Sequence, residues 1–471
     1  MKEPCSALTD DRKTTFQNMA YAMPKLSLFL LISGPMSVLP GIYAKYFGMS
    51  LAAIALARFF ARIFDGITDP IMGYLSDRFQ QRFGTRKPLI IVGGILVLAS
   101  SSMLYIPYGW EAQNPEPVHF AYFLGFYMAF SLSWTIMEMP HLAWGAGISS
   151  DTKGRSQRFS FRSIASYSAS ILFFAIPFLP IFESTEVTNE TLEFAVYLSW
   201  ILMPLCLWVC MRWVPNGPAS HQIPQAEEAF QHVSKKQRIR QVGRLIIGNK
   251  PLLVFYGTYV FIGLGYSMFS TLTFFFVDNY LGLAEMMSYV FIAHYSVGVV
   301  SSWVWGLVAQ KIGARSSWAI GISMCLFGIL GIIFIRPGEG SFWLYLICMI
   351  LIGAGYLSTF VVGYTLLAGI ADYGKWKFDQ ECAGLYFSLR GTVAKFNLSI
   401  GGALSLLLVE WLGFDVSAAV MSEASIQALR LVYIIIPAIF LIIAIMLITR
   451  IPLNSHQHST IRKRLEARAR R

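Results

Sequence analysis

Charge is scarce in this chain. Asp, Glu, Lys and Arg make up 13% of its 471 residues, about half the share of an average soluble domain, which excludes a molecule whose whole surface meets water. Cysteine is scarce too. Cys206, Cys210, Cys325, Cys348 and Cys382 fall in or beside apolar runs and Cys5 lies in the polar start, so neither a disulfide framework nor a paired metal motif is present. Small apolar packing is their default use. HExxH, GxSxG and Walker-loop patterns are missing, as is a convincing nucleophile and base set, so an enzyme is not expected and no cofactor is implied.

What is abundant is apolar: 55% of the residues are hydrophobic. Stretches long enough to span about 30 Å of hydrocarbon recur near 24–46, 50–75, 88–107, 119–149, 158–182, 191–214, 251–281, 284–310, 315–335, 342–371, 384–412 and 429–450. They are apolar on every face, whereas barrel strands need short alternating segments, so twelve helices are expected. The first follows a charged start (Lys2, Asp10, Asp11, Arg12, Lys13) without a small-residue cleavage signature, and is read as retained in the mature protein.

The formal charge of +11 is informative through its placement. Loops after spans two, four and six carry Arg78, Arg82, Arg86 and Lys87, then Lys153, Arg155 and Arg158, then Lys235, Lys236, Arg238, Arg240, Arg244 and Lys250; the tail adds Arg462, Lys463, Arg464, Arg468, Arg470 and Arg471. Loops after spans three and five carry Glu111, Glu116, Glu183, Glu186, Glu190 and Glu193 without Lys or Arg. Both termini are therefore expected in the cytoplasm. The basic tail is read as setting topology and meeting anionic membrane lipid, with no nucleic acid partner.

The polar interval from Pro215 to Lys250 divides the spans into two sets of six. The expected organisation is a bundle over 1–214, a cytoplasmic linker over 215–250, a second bundle over 251–452 and a basic tail over 453–471. A repeat supports the division: GYLSDR from Gly73 to Arg78, followed by Gly84, Thr85 and Arg86, echoes GLVAQK from Gly306 to Lys311, followed by Gly313, Ala314 and Arg315. Gly73 would let two helices approach closely, and Asp77, Arg78 and Arg86 would hold a short loop against neighbouring helix ends, favouring one conformation. The first copy resembles the loop between helices two and three of the major facilitator superfamily, which implies two six-helix bundles rocking around a central site.

Several charges fall inside apolar runs. Asp65 and Asp69, in ARIFDGITDPIMG, are four residues apart and share a helical face. Each costs roughly 2.5–3.5 kcal/mol at mid-membrane. A bound Na⁺ or a proton would remove both repulsion and desolvation cost; alternatively Arg62, one turn back, neutralises one of them in a structural ion-pair network. Glu138, in WTIMEMPHLAWG, is followed by Pro140, which would free backbone carbonyls. Thr135 is one turn earlier and offers a further oxygen for a hard cation; the competing use of Glu138 is a helix-end carboxylate reaching water. Lys395 in the eleventh run would meet an anionic or hydroxyl-rich ligand or pair with an acid. Arg162 offers a planar fork for a carboxylate or paired hydroxyls, or faces cytoplasmic water from a helix end. His141 suits proton relay or plain hydrogen bonding, and Pro35 and Pro40 suit a kink in span one.

These residues resemble the glycoside-pentoside-hexuronide:cation symporter family of the major facilitator superfamily, the melibiose permease-like carriers. The likeness runs over nearly the whole chain, and its most specific pieces are DGITDP with downstream GTRKP, MEMP, GIADYGKWKFDQECAGLYFSLRGTVAK and the tail RIPLNSHQHSTIRKRLEARARR. The resemblance implies an all-α membrane protein with twelve transmembrane helices, and symport of a glycoside or hexuronide-like solute with Na⁺ or H⁺. It puts Asp65, Asp69, Thr135 and Glu138 at the cation and Glu138, Arg162 and Lys395 at the solute. A monomer in a bacterial inner membrane is expected. The family's helix-one acid, used for galactosides, aligns with Phe29, while Glu138 stands in place of an aspartate and Leu142 in place of a tryptophan. An α-galactoside is therefore not the expected cargo; a glycoside or uronide ranks first and a lysolipid or other amphipathic anion second.

Overall fold

The computed structural model describes residues 4–107, 118–148, 152–216, 235–338, 340–380, 383–416, 421–452, 460–461, 463–465 and 467. Residues 217–234 of the expected linker and 453–459 of the expected tail lie outside the described residues, as do Glu111, Glu116 and Cys382. Every regular element among the described residues is helical.

In chain order the helices are α1 (Pro4–Leu30), α2 (Ser33–Lys45), α3 (Leu51–Phe83), α4 (Lys87–Tyr105), α5 (Phe120–Gly147), α6 (Thr152–Ala175) and α7 (Asn189–Trp213). After the central interval come α8 (Lys235–Ile247), α9 (Lys250–Phe275), α10 (Met287–Ile312), α11 (Ala314–Gly331), α12 (Ser341–Phe378), α13 (Ala383–Trp411), α14 (Glu423–Arg430) and α15 (Ile436–Thr449). Among the described residues, 11 stretches are long and apolar enough to cross a membrane. The remaining expected span is α3, which has the length, at 33 residues, but carries Arg58, Arg62, Asp65 and Asp69 along its middle.

The first span differs from expectation at its start and in its middle. Its helix begins at Pro4, well before the apolar run, and is interrupted at Leu31 and Ile32. Pro35 accounts for the interruption, because it has no N–H to give the Leu31 carbonyl and its ring crowds that oxygen. The orphaned carbonyl accepts instead from the Tyr105 hydroxyl, at 2.5 Å, and Leu31 and Ile32 donate to Leu28 and Phe29 in tighter turns. Pro140, by contrast, leaves α5 unbroken.

The chain divides into two compact units, Met1–Gln222 with Ala284–Ile292, and Ile223–Leu283 with Ala293–Arg471. Within the first, helices pack in the succession α5, α4, α7, α1, α6, with α3 laid against α5. Within the second, α12, α11, α15, α9 and α13 follow the same succession. Counted as spans, that is four, three, six, one, five, repeated as ten, nine, twelve, seven, eleven. The loop echo seen in the sequence thus extends to helix packing. Buried aromatics fill both interiors, among them Tyr21, Tyr43, Tyr105 and Phe173 in the first unit and Trp318, Tyr345 and Tyr433 in the second.

Candidate coupling and solute site

Helix α3 buries one stripe and exposes another. Arg58, Ala61, Asp65, Met72 and Ser76 are buried, while Ile63, Ile67 and Ile71 stand at 48–59% exposure, as a lipid-facing edge requires. The buried stripe lies on α5, and that contact supplies hydroxyls to both acids. Ser131 donates to Asp65 Oδ1 at 2.5 Å and Thr135 to Asp69 Oδ1 at 2.9 Å. Ser131 and Thr135 are themselves four residues apart on α5, so the two pairs run in register along the interface. Arg62 Nη1 sits 3.1 Å from Asp65 Oδ2.

Glu138, one turn beyond Thr135, belongs to a different cluster. Its Oε1 accepts from Lys25 Nζ at 2.7 Å and from Arg162 Nη2. Arg162 Nη1 also reaches His141 Nδ1 at 2.5 Å, and His141 Nε2 lies 3.0 Å from the Tyr21 carbonyl. An arginine only donates and a carbonyl only accepts, so His141 is the neutral tautomer with its proton on Nε2. The Tyr21 hydroxyl closes the ring by donating to the His141 carbonyl at 2.7 Å. Lys25, Glu138, His141 and Arg162 are all under 10% exposed.

The expected gathering of Asp65, Asp69 and Glu138 around one Na⁺ is not formed: among the described residues no three His, Cys, Asp or Glu side chains converge as metal ligands. The reason is that two cations hold Glu138 toward α1 and α6, while Thr135 turns to Asp69. Nor is Glu138 a helix-end acid reaching water, or Arg162 an arginine facing cytoplasm; each is buried against the other. His141 hydrogen-bonds Arg162 and the Tyr21 carbonyl. Lys25 is the member that the sequence reading missed. Its ammonium lies 3.6 Å from the centroid of Phe29.

At the loop between α3 and α4, Arg86 pairs with Asp77 at 2.5 Å and donates to Ser76 Oγ at 3.1 Å. Gly84, at φ 70°, supplies the left-handed turn that ends α3. Lys87 then donates to the carbonyls of Met211 and Val214, at 2.8 and 2.9 Å, capping the end of α7. In the second copy Arg315 donates to the Ile451 carbonyl at 3.1 Å, so each unit caps its last span from the start of its third. Arg78 lies 5.4 Å from the Tyr74 ring. The close helix approach expected at Gly73 is absent among the described residues: a Cβ there would meet nothing within 4 Å. Lys395 is half-buried on α13 of the second unit.

The sequence profile of the family described as MFS/sugar transport protein matches residues 20–455. The chain belongs to that family. It is 22% identical over 459 residues to the uncharacterized symporter YnaJ of Bacillus subtilis, covering 96% of this chain and 95% of YnaJ. It is 23% identical over 453 residues to a glucuronide carrier protein homolog of Escherichia coli, covering 94% and 91%. Among solved structures, a bacterial homolog of the human lysosomal transporter Spinster, inward-facing and unoccupied, superposes with a TM-score of 0.67 at 14% identity over 98% of this chain and 99% of that one. The architecture is the major facilitator fold, and the protein is a multi-pass membrane transporter.

Proposed function

We propose that this transporter is a cation-coupled symporter of a sugar-like solute, with an acidic sugar as the preferred class. The carrying observation is the pair of acids on α3, each met by a hydroxyl of α5. Two carboxylates one turn apart inside a membrane helix repel and are costly to desolvate; Arg62 meets one of them, and the hydroxyls give the pair an oxygen-rich setting for Na⁺ or H⁺. Asp65, Asp69 and Thr135 hold the coupling ion. Glu138, Arg162 and Lys395 are the solute-binding residues that the family resemblance implies. The placement of Glu138 favours this division: it shares α5 with Thr135, so ion binding at one turn bears on the solute group at the next.

Transport follows alternating access. Asp77, Arg78 and Arg86, with Gly73 in the same loop motif, hold the cytoplasmic loop in one of the alternating conformations and release it in the other. The names of the relatives, a symporter and a glucuronide carrier homolog, accord with this reading. We place the protein as a monomer in a bacterial inner membrane with both termini cytoplasmic.

Purified protein in proteoliposomes, offered uronides, neutral glycosides and lysolipids under separate Na⁺ and pH gradients, tests the proposal. Gradient-dependent uptake of a sugar, lost in Asp69→Asn, is the expected result and names the ion. Undiminished gradient-driven uptake by Asp69→Asn removes the coupling site, and uptake of lysolipid alone replaces the solute.

A further inference from the structure

Both units bury arginine, Arg58, Arg158 and Arg162 in the first and Arg390 in the second, and Arg162 and Arg390 are treated differently. In the first, Arg162 has the Glu138 carboxylate. In the second, Arg390 on α13 is 3% exposed, yet its Nε and Nη2 have no hydrogen-bond partner among the described residues. A buried cation without an anion is expensive. What surrounds it is aromatic: the guanidinium carbon lies 3.6 Å from the ring centroid of Tyr364, 4.7 Å from Tyr259 and 5.7 Å from Phe360. Tyr364 is itself stacked on Phe387, with centroids 6.0 Å apart, and Tyr259 is pinned through its carbonyl by Asn397, at 3.0 Å.

Aromatic rings accept none of the guanidinium's five in-plane N–H bonds as a carboxylate would. Nε and Nη2 form one edge of the group, with parallel N–H bonds spaced for the two oxygens of a carboxylate. We propose that Arg390 is the site that recognises the carboxylate of the transported solute, making it the residue that selects an acidic sugar over its neutral counterpart. The aromatic rings shelter the cation, and a solute carboxylate supplies its pair. This rests on the solute class proposed above and supplies the residue responsible for it. Arg58 also lacks a partner at Nη1, but it shares α3 with Asp65 and Asp69 and leaves no paired edge open.

Phenyl β-glucuronide and phenyl β-glucoside differ only in a carboxylate for a hydroxymethyl group, so the ratio of their affinities isolates this contact. Calorimetric titration of the full-length protein in detergent is expected to show at least a tenfold preference for the glucuronide. Arg390→Gln should bring the ratio near one. Arg390→Lys, which keeps a cation among the rings and guards against a folding defect in the glutamine variant, should leave an intermediate ratio because the fork is gone. The assignment is overturned by a wild type without preference, by an unchanged ratio in both variants, or by Arg390-dependent binding of a lysophospholipid in place of the glucuronide. Titrations with and without Na⁺ and at two pH values separate the two proposals: a glucuronide preference that depends on Arg390 but ignores both ions leaves this site standing and removes the coupling.

Discussion

Lys25, Glu138 and Arg162 show how a single carboxylate can carry two buried cations, which makes its removal costly. Glu138→Gln leaves both cations without a counter-charge in a setting under 10% exposed, at a cost of about 3–5 kcal/mol. Thermal unfolding of the detergent-solubilised protein should record that loss, and adding Lys25→Met should recover a large part of it by removing one stranded charge. Equal stability of the glutamine variant and the wild type would mean that the network does not bind as drawn. The acids of this cluster and of α3 were legible in the sequence because charge inside an apolar run stands out. Lys25 was not, because it lies at the edge of its apolar run, where a lysine reads as a helix-end anchor. Only the extension of α1 back to Pro4 places it within the helix. Which acid faces which hydroxyl was also hidden, since helical spacing puts Thr135 on the same side as Glu138 but carries no information about α3, and the packing of α5 on α3 decides that Thr135 meets Asp69.

At the scale of the element, the break in the first span depends on two residues 70 positions apart in sequence. Pro35 orphans the Leu31 carbonyl and Tyr105 satisfies it. Removing that hydroxyl alone, in Tyr105→Phe, strands a buried acceptor and should cost about 1–3 kcal/mol. In a Pro35→Ala background the new alanine N–H can take the carbonyl back, so the same substitution should cost clearly less. A double-mutant cycle on unfolding free energies measures the difference, and strict additivity would disconnect the proline from the tyrosine. That Pro35 would bend the span was readable from the residue itself. Where the bend falls and what seals it were not, because the partner comes from another helix. Pro140 illustrates the same limit in reverse: its chemistry is identical, yet α5 runs straight through it.

The two units repeat one packing order, and the loop after the second span of each is a place where they have diverged. Both copies cap the last span of their unit from the start of the third, but only the first has the Asp77 and Arg86 pair; the second has Gln310 at the acidic position. Asp77→Gln therefore makes the first loop like the second. The Asp77 side chain is 58% exposed, so water and salt screen the pair, and its bias on the carrier's conformation is limited to about 1 kcal/mol. Uptake at saturating solute should change by no more than about fivefold with solute affinity retained, and the effect should shrink at high salt. A complete loss of transport would assign the loop a larger part than one exposed ion pair can have.

Charge bookkeeping over the whole cycle sets the response to voltage. The coupling proposed above loads one cation per cycle at the α3 acids, where Asp65 is also paired with Arg62. With an anionic uronide the loaded carrier then moves no net charge, whereas with a neutral glycoside it moves one, gaining about 2.3 kcal/mol per 100 mV. Proteoliposomes given an interior-negative potassium diffusion potential without any Na⁺ or pH gradient discriminate these cases. The potential should concentrate the glycoside, by up to roughly fiftyfold at 100 mV if leaks are small, and leave the uronide at equilibrium. Accumulation of the uronide under voltage alone would require at least two cations per cycle, and α3 would then have to share its load with another acid, for which Glu138 could serve only by releasing Lys25 or Arg162.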